Sequence, residues 1–364
     1  CVCVCVTAVW KHGKRRAQTG RGKEREGEAV LFSFLWGRVE MEGESIPVID
    51  LQPFFEGTEA GKQQVAAAVR QAGEQVGFMF IINHGIQAPF QEQVLQVARD
   101  FFDLPEEEKK EICMTADYPY GYTSMGEEIL SRSRVGRGVA DLKETFQICL
   151  GPEENPSPSM PQPQWPRRPE EFREVMTAYY RSLEGLGLNL MRICAIALDL
   201  PENYFDKSLN QHWNSLRLLN YPEQSEEPLP GQLRASPHTD YGSLTILLQD
   251  DIGGLQVQKR DDTWVDAISP PGAYVINFGD AFQRWTNDRW KSTMHQVVNS
   301  SKLRRQSIAY FQNLNRDAVI ECFPSCQDEE HPAKYPPITA GEHLMLKHEA
   351  AMGRGKPVED ERNA

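Results

Sequence analysis

From residue 46 onward, short apolar runs trade places with amphipathic stretches. Residues 46–51 are rich in β-branched side chains and predict a strand, while 61–75 carry apolar residues at helical spacing and predict a helix. The apolar run 77–82 stops at Asn83-His84-Gly85, the pattern of a buried strand ending in a turn. Helical spacing returns over 91–102, and Pro105-Glu106-Glu107-Glu108 has the composition of a first helical turn. Between 114 and 168 Pro, Gly and Ser dominate, which predicts a long irregular segment of the kind that forms lids. A long amphipathic helix is expected over 170–198, with Met176, Tyr179, Leu183, Leu186, Leu190, Ile193 and Ile196 on its apolar stripe.

After 211 the period shortens. Apolar or alternating segments at 215–219, 243–248, 255–258, 263–267, 274–278, 294–298 and 306–311 are separated by turn residues, which predicts an antiparallel sandwich or barrel. The tail beyond 320 is polar apart from a helical stretch near 340–352. The expected class is mainly β with flanking helices (α+β), preceded by a mixed α/β region. The expected division is a leader or non-native extension (1–40), an N-terminal region with a lid-like loop (41–168), a supporting helix (169–210), a strand-rich catalytic domain (211–320) and a tail with a helix (321–364).

Charge narrows the partners. The formal net charge of −13 argues against nucleic acid and anionic membrane, both of which need a basic face. No stretch approaches the roughly 20 apolar residues of a membrane span, so a soluble, cytoplasmic protein acting on a small molecule is expected; its oligomeric state is not legible. Residues 1–40 differ, with eight Lys/Arg and four Glu giving +4 against −17 for the remainder, and the first methionine is Met41. They read as a non-folding extension, or alternatively as a targeting segment, against which Glu24, Glu26 and Glu28 count. Of the eight cysteines, Cys1, Cys3 and Cys5 crowd the start, while Cys113, Cys149, Cys194, Cys322 and Cys326 lack disulfide or zinc spacing, which fits a reducing compartment.

The candidate chemistry sits in Ser236-Pro237-His238-Thr239-Asp240. In extended backbone residues two apart point the same way, so the His238 imidazole and the Asp240 carboxylate can approach one ion from the same side. His295, 57 residues on at the start of an expected strand, is the candidate third ligand. Two histidines and one carboxylate on one face leave open positions for an organic cosubstrate and dioxygen at iron(II). A His-x-Asp triplet alone is weak, since a lone histidine is more often hydrogen-bonded than metal-bound. Ten residues beyond His295, Arg305 and Ser307 share a strand face suited to gripping a carboxylate; the competing reading of Arg305 is a solvated charge, like Arg304 beside it. Arg132, Arg134 and Arg137 in the lid segment would suit an acidic substrate, although a solvated loop is the simpler reading.

Taken together, His238-Thr239-Asp240, Gly253-Gly254-Leu255-Gln256-Val257, Val275-Ile276-Asn277-Phe278-Gly279-Asp280, Trp285-Thr286-Asn287, Lys291-Ser292-Thr293 before His295, and Arg305-x-Ser307 resemble the iron(II)/2-oxoglutarate-dependent dioxygenase superfamily. The similarity is to its branch with isopenicillin N synthase and the plant hormone and flavonoid oxygenases. Residues 46–51, 77–85 and Asp141-Leu142-Lys143-Glu144-Thr145-Phe146 extend it over roughly 46–315. The resemblance implies a double-stranded β-helix (jelly roll) with His238, Asp240 and His295 as catalytic iron ligands. Arg305 and Ser307 would bind the distal carboxylate of 2-oxoglutarate, with Tyr221 beside it. It also implies Fe(II), dioxygen and ascorbate as reductant, and decarboxylation of 2-oxoglutarate coupled to hydroxylation, desaturation or ring closure of a small organic substrate. Many plant members carry Asn two residues before that tyrosine; here the position is Leu219. The alternatives are an iron(II) oxidase of the same fold that does not use 2-oxoglutarate, and a non-catalytic binding protein. Asn83-His84-Gly85 reads as a structural turn.

Overall fold

The computed structural model describes residues 45–115, 120–130, 139–153, 160 and 162–351, all within the unit formed by residues 44–364. The leader, Arg132, Arg134 and Arg137 lie outside the described residues.

An eight-stranded sheet runs in the order β1 (Val48–Asp50), β2 (Phe78–Ile82), β10 (Tyr274–Phe278), β7 (Leu244–Gln249), β12 (Arg305–Gln312), β5 (Ser215–Tyr221), β4 (Glu144–Ile148), β3 (Gly121–Thr123). β1 and β2 are parallel and the other neighbours antiparallel. A four-stranded antiparallel sheet, β6 (Ala235–His238), β11 (His295–Val297), β8 (Leu255–Gln258), β9 (Trp264–Asp266), packs against it. The two sheets meet through Phe78, Phe80, Tyr221 and Val275 on one side and Ala235, Leu255, Val257 and Val297 on the other. This is the expected jelly roll.

The outer face of the large sheet is covered by α2 (Glu59–Gln75), α3 (Ala88–Phe102) and α5 (Phe172–Ala197), which follow the short α1 (Gln52–Phe55) and flank α4 (Glu106–Lys110). α2 begins two residues before its apolar period because Thr58 caps it, its hydroxyl accepting from Gly61 N at 3.1 Å. Along the strands, side chains alternate between two destinations. In β5, Leu216 and Leu218 enter the helix-covered core, whereas Ser215, Arg217, Leu219 and Tyr221 line a cavity. β12 divides the same way, with Ile308 and Tyr310 in the core and Arg305, Ser307, Ala309 and Phe311 at the cavity.

One expectation needs correcting. Segment 114–168 is not irregular throughout, because β3 and β4 lie in it and join the sheet beside β5. Its strand pattern is hidden by a buried charge: Glu144 accepts from Lys109 Nζ at 2.7 Å, Tyr122 Oη at 2.5 Å and Asn220 Nδ2 at 2.8 Å. A carboxylate satisfied in this way is tolerated where an apolar residue would be expected. After α6 (Asp206–Leu209) and α7 (Asp280–Trp285), a short hairpin of β13 (Val319–Ile320) and β14 (Ile338–Thr339) leads into α8 (Ala340–Ala351). The C-terminal helix thus returns to the cavity, placing Leu344 and His348 in its wall.

Candidate metal centre

The pairing of β6 with β11 sets His295 directly opposite His238, so two residues distant in sequence become cross-strand neighbours. Their rings lie 4.3 Å apart. Asp240 follows β6, and its Oδ1 is 4.0 Å from His238 Nε2 and 3.8 Å from His295 Nε2. The chain turns tightly here. A Cβ on Gly279 would stand 2.3 Å from the carbonyl oxygen of Gly242, so only glycine allows this approach.

Each of the three side chains has its second polar atom engaged. His238 Nδ1 bonds the carbonyl of Ser236 at 2.8 Å and His295 Nδ1 that of Thr293 at 3.1 Å. Both Nδ1 atoms must therefore carry the proton, which leaves each Nε2 with a free lone pair. Asp240 Oδ2 accepts from Thr245 Oγ1 at 2.5 Å and Asn277 Nδ2 at 2.7 Å, leaving Oδ1 free. Burial, and then the neighbouring His295, lower the pKa of His238 to about 4, so its imidazole is neutral at pH 7. Burial alone would raise Asp240, but His295, His238 and the two hydrogen bonds outweigh it and hold the carboxyl below its ordinary value. The three donor atoms lie within 4.8 Å of one another. Two imidazole nitrogens and one carboxylate oxygen, oriented from behind, are a donor set that fits iron(II).

A cavity of about 180 Å³ between the sheets contains this triad at its wall. Arg305, Ser307 and Tyr221 line the same cavity. Arg305 pairs with Tyr221 across β12 and β5 and carries its guanidinium 5.0 Å over the tyrosine ring. Its Nη1 donates to Ser307 Oγ at 3.1 Å and its Nη2 to Gln249 Oε1 at 2.9 Å. Leu219 lines the cavity, whereas Asn220 points the other way, to Glu144 and Arg304. His84 stands apart from this cavity. It bonds the carbonyl of Gly272 at 2.8 Å and packs edge-on against Tyr274, in keeping with a structural turn.

Several residues escaped sequence reasoning. Asn277 and Thr245 were legible only as single polar residues inside apolar strands. Arg234 gave no signal, yet it is fully buried, donates to the carbonyl of Leu303 and, among the described residues, has no partner for Nε or Nη1. Burial, and then the charge of Arg305, lower its pKa. Among the described residues neither Arg234 nor Arg305 has a carboxylate in ion-pair range. Glu128, Lys143 and Arg217, also at the cavity, were likewise not singled out.

Comparison with known proteins brings two family models onto the chain. Residues 46–168 match the N-terminal region of non-haem dioxygenases named for morphine synthesis, and residues 213–314 match the 2OG-Fe(II) oxygenase superfamily. A 2-oxoglutarate-Fe(II) type oxidoreductase, hxnY, of Emericella nidulans is 34% identical over 333 residues, covering 86% of this chain and 93% of that protein. A homoarginine-6-hydroxylase of Oryza sativa is 32% identical, over 83% of this chain and 96% of its own. The crystal structure of full-length Neurospora crassa T7H in complex with alpha-KG and thymine superposes with a TM-score of 0.76 at 35% identity, over 85% of this chain and 98% of that one.

Proposed function

Since the chain belongs to the 2OG-Fe(II) oxygenase superfamily and is an iron- and 2-oxoglutarate-dependent oxidoreductase, we propose that His238, Asp240 and His295 hold its iron and that Arg305, Ser307 and Tyr221 hold the distal carboxylate of its 2-oxoglutarate. The activity couples decarboxylation of 2-oxoglutarate, to succinate and carbon dioxide, to oxidation of a small organic substrate. The observation that carries the assignment is the convergence of Nε2, Oδ1 and Nε2, each freed by a bond at its partner atom. Bound there, iron(II) supplies the activation of dioxygen and the oxidising power for the substrate C–H bond.

The protein's own part is positioning. Ser236 and Thr293 carbonyls fix the imidazole tautomers, and Thr245 and Asn277 fix the carboxylate. Arg305 offers a fork of donors to a carboxylate, with Ser307 beside it and the Tyr221 ring beneath. Arg234 adds a second buried positive charge at that end, which supports an anion as the occupant. Leu130, Leu219, Leu247, Ala309 and Phe311 make the cavity walls apolar and keep water from the reacting atoms. We assign the catalytic domain to residues 211–320, completed by the strands of 41–168, which lie in the same sheet. No helix among the described residues is long and apolar enough to cross a membrane, and their five cysteines are free, which supports a cytoplasmic setting.

Metal content tests the assignment. After anaerobic loading with iron(II) and desalting, the wild type should retain about one iron per chain, and Asp240→Ala and His295→Ala should each lose it while keeping the wild-type circular dichroism. Full iron retention by both variants would refute these ligands.

A further inference from the structure

Four charged side chains, three of them in the cavity wall, are linked in a chain of three ion pairs. Glu128 accepts from Arg217 Nη2 at 2.7 Å and meets Lys143 Nζ at 3.0 Å. Lys143 also reaches Asp141 Oδ2 at 2.8 Å, and Asp141 is held by the backbone and hydroxyl of Ser236, at 2.9 and 2.6 Å. Lys143 and Asp141 are fully buried, with side-chain exposures of 1% and 0%. Burial alone would raise the pKa of Glu128, but Arg217 and Lys143 pull it further the other way. Burial alone would likewise lower Lys143, and Glu128 and Asp141 outweigh it. Two cations thus face two carboxylates, and the formal charge of the cluster sums to zero.

That balance bears on what the cavity accepts. A carboxylate substrate would have to draw Arg217 or Lys143 away from a partner already in contact, stranding a buried carboxylate; a cationic substrate would strand a cation in the same way. Beside the cluster the wall carries the neutral Gln147 and Ser215, bonded to each other at 3.1 Å, and Asn313, together with His348, whose pKa is lowered by burial and then by Arg217, against Glu128. Arg217 keeps one donor in reserve, because its Nε is buried and has no partner among the described residues. Beside it stands an ionised carboxylate that accepts hydrogen bonds. A donor next to an acceptor is the complement of an amide edge, in which a carbonyl oxygen neighbours an N–H.

Resting on the reading that the chain is a 2-oxoglutarate-dependent oxygenase, we propose that its substrate is an uncharged molecule presenting an amide edge, a lactam or imide ring, with the carbonyl on Arg217 Nε and the N–H on Glu128. Leu130, Leu219 and Phe311 supply apolar surface for the rest of the ring.

The test is a probe panel on the full chain with iron(II), 2-oxoglutarate and ascorbate. The neutral probes are uracil, thymine and 2-pyridone; the charged ones are orotate, indole-3-acetate and homoarginine. Succinate formation is read together with the shift in melting temperature each probe causes under nitrogen with N-oxalylglycine in place of 2-oxoglutarate. At least one neutral probe should raise succinate formation 5-fold or more and shift the melting temperature, and the charged probes should do neither. Stimulation by a charged probe alone, or by none of the six, overturns the proposal. A melting shift caused by N-oxalylglycine itself keeps that failure distinct from failure of the oxygenase reading. Glu128→Gln supplies a second measurement, because it releases Arg217: orotate binding relative to uracil should improve at least 10-fold. An unchanged ratio in a variant with the wild-type melting curve overturns the assignment of these two residues.

Discussion

At the scale of single residues, the centre depends on what stands behind its donors as much as on the donors themselves. Asp240 and the two histidines could be picked out of the sequence, since residue type and a two-residue spacing on an extended strand are local properties. Thr245, Asn277 and Gln249 could not, because their roles arise from register between strands that the sequence does not print. Arg234 is the clearest such case: one arginine among many in the sequence, it is buried with no carboxylate in ion-pair range among the described residues. On the proposed role of Arg305, its replacement by Lys exchanges a two-pronged contact with the 2-oxoglutarate carboxylate for a point charge, and a hydrogen bond to a charged group contributes about 1.5–3 kcal/mol. The KM for 2-oxoglutarate should accordingly rise roughly 10- to 100-fold, with a smaller effect on kcat. Arg234→Met should raise KM in the same direction and weaken glutarate binding by calorimetry; unaltered glutarate affinity would assign Arg234 a purely structural role.

At the scale of elements, strands with clean apolar patterns were legible nearly to the residue, and 255–258 and 274–278 coincide with β8 and β10. β4 was not, because its first residue is a carboxylate whose three donors come from α4, β3 and β5. α8 was visible as a helix, but nothing in its sequence announced its return to the cavity. Its docking should depend on pH. His343 is buried, contacts the carbonyl of Tyr241 at 3.1 Å and has its pKa lowered to about 4 from 6.5 by burial, with Lys347 and Arg284 acting in the same sense and Asp280 against it. The folded form therefore resists a proton that the undocked helix accepts. Docking is fully stable above pH 6.5 and weakens as pH falls from 6.5 towards 4, by up to about 1.4 kcal/mol per pH unit. Hydrogen exchange over 340–351, corrected for intrinsic rates, should be faster at pH 5.5 than at 7.5, and His343→Gln should reduce the difference, the remainder belonging to His348 on the same helix, whose pKa burial also lowers. Equal protection at both pH values would contradict this account.

At the scale of the whole molecule, the jelly roll was inferred from a succession of short strands and a family resemblance, and the two sheets follow that plan. β1 to β4 complete the sheet built by β5, β7, β10 and β12, so strands from 41–168 and from 211–320 share one layer. The alternation along those strands has an evolutionary consequence. Tyr310 and Phe311 are adjacent in sequence but belong to different tasks, one packed under the helices and one facing the cavity. Along β5 and β12 the genetic text is thus interleaved, one letter for the scaffold and the next for selectivity. A saturation library over Leu216, Arg217, Leu218 and Leu219 should sort accordingly: variants at 216 and 218, and those at 217 that strand the buried Glu128, accumulate poorly as folded protein, while variants at 219 accumulate normally and differ in the compounds they oxidise. Such a chain can retune its selectivity at the apolar cavity positions Leu219, Ala309 and Phe311 without renegotiating its architecture.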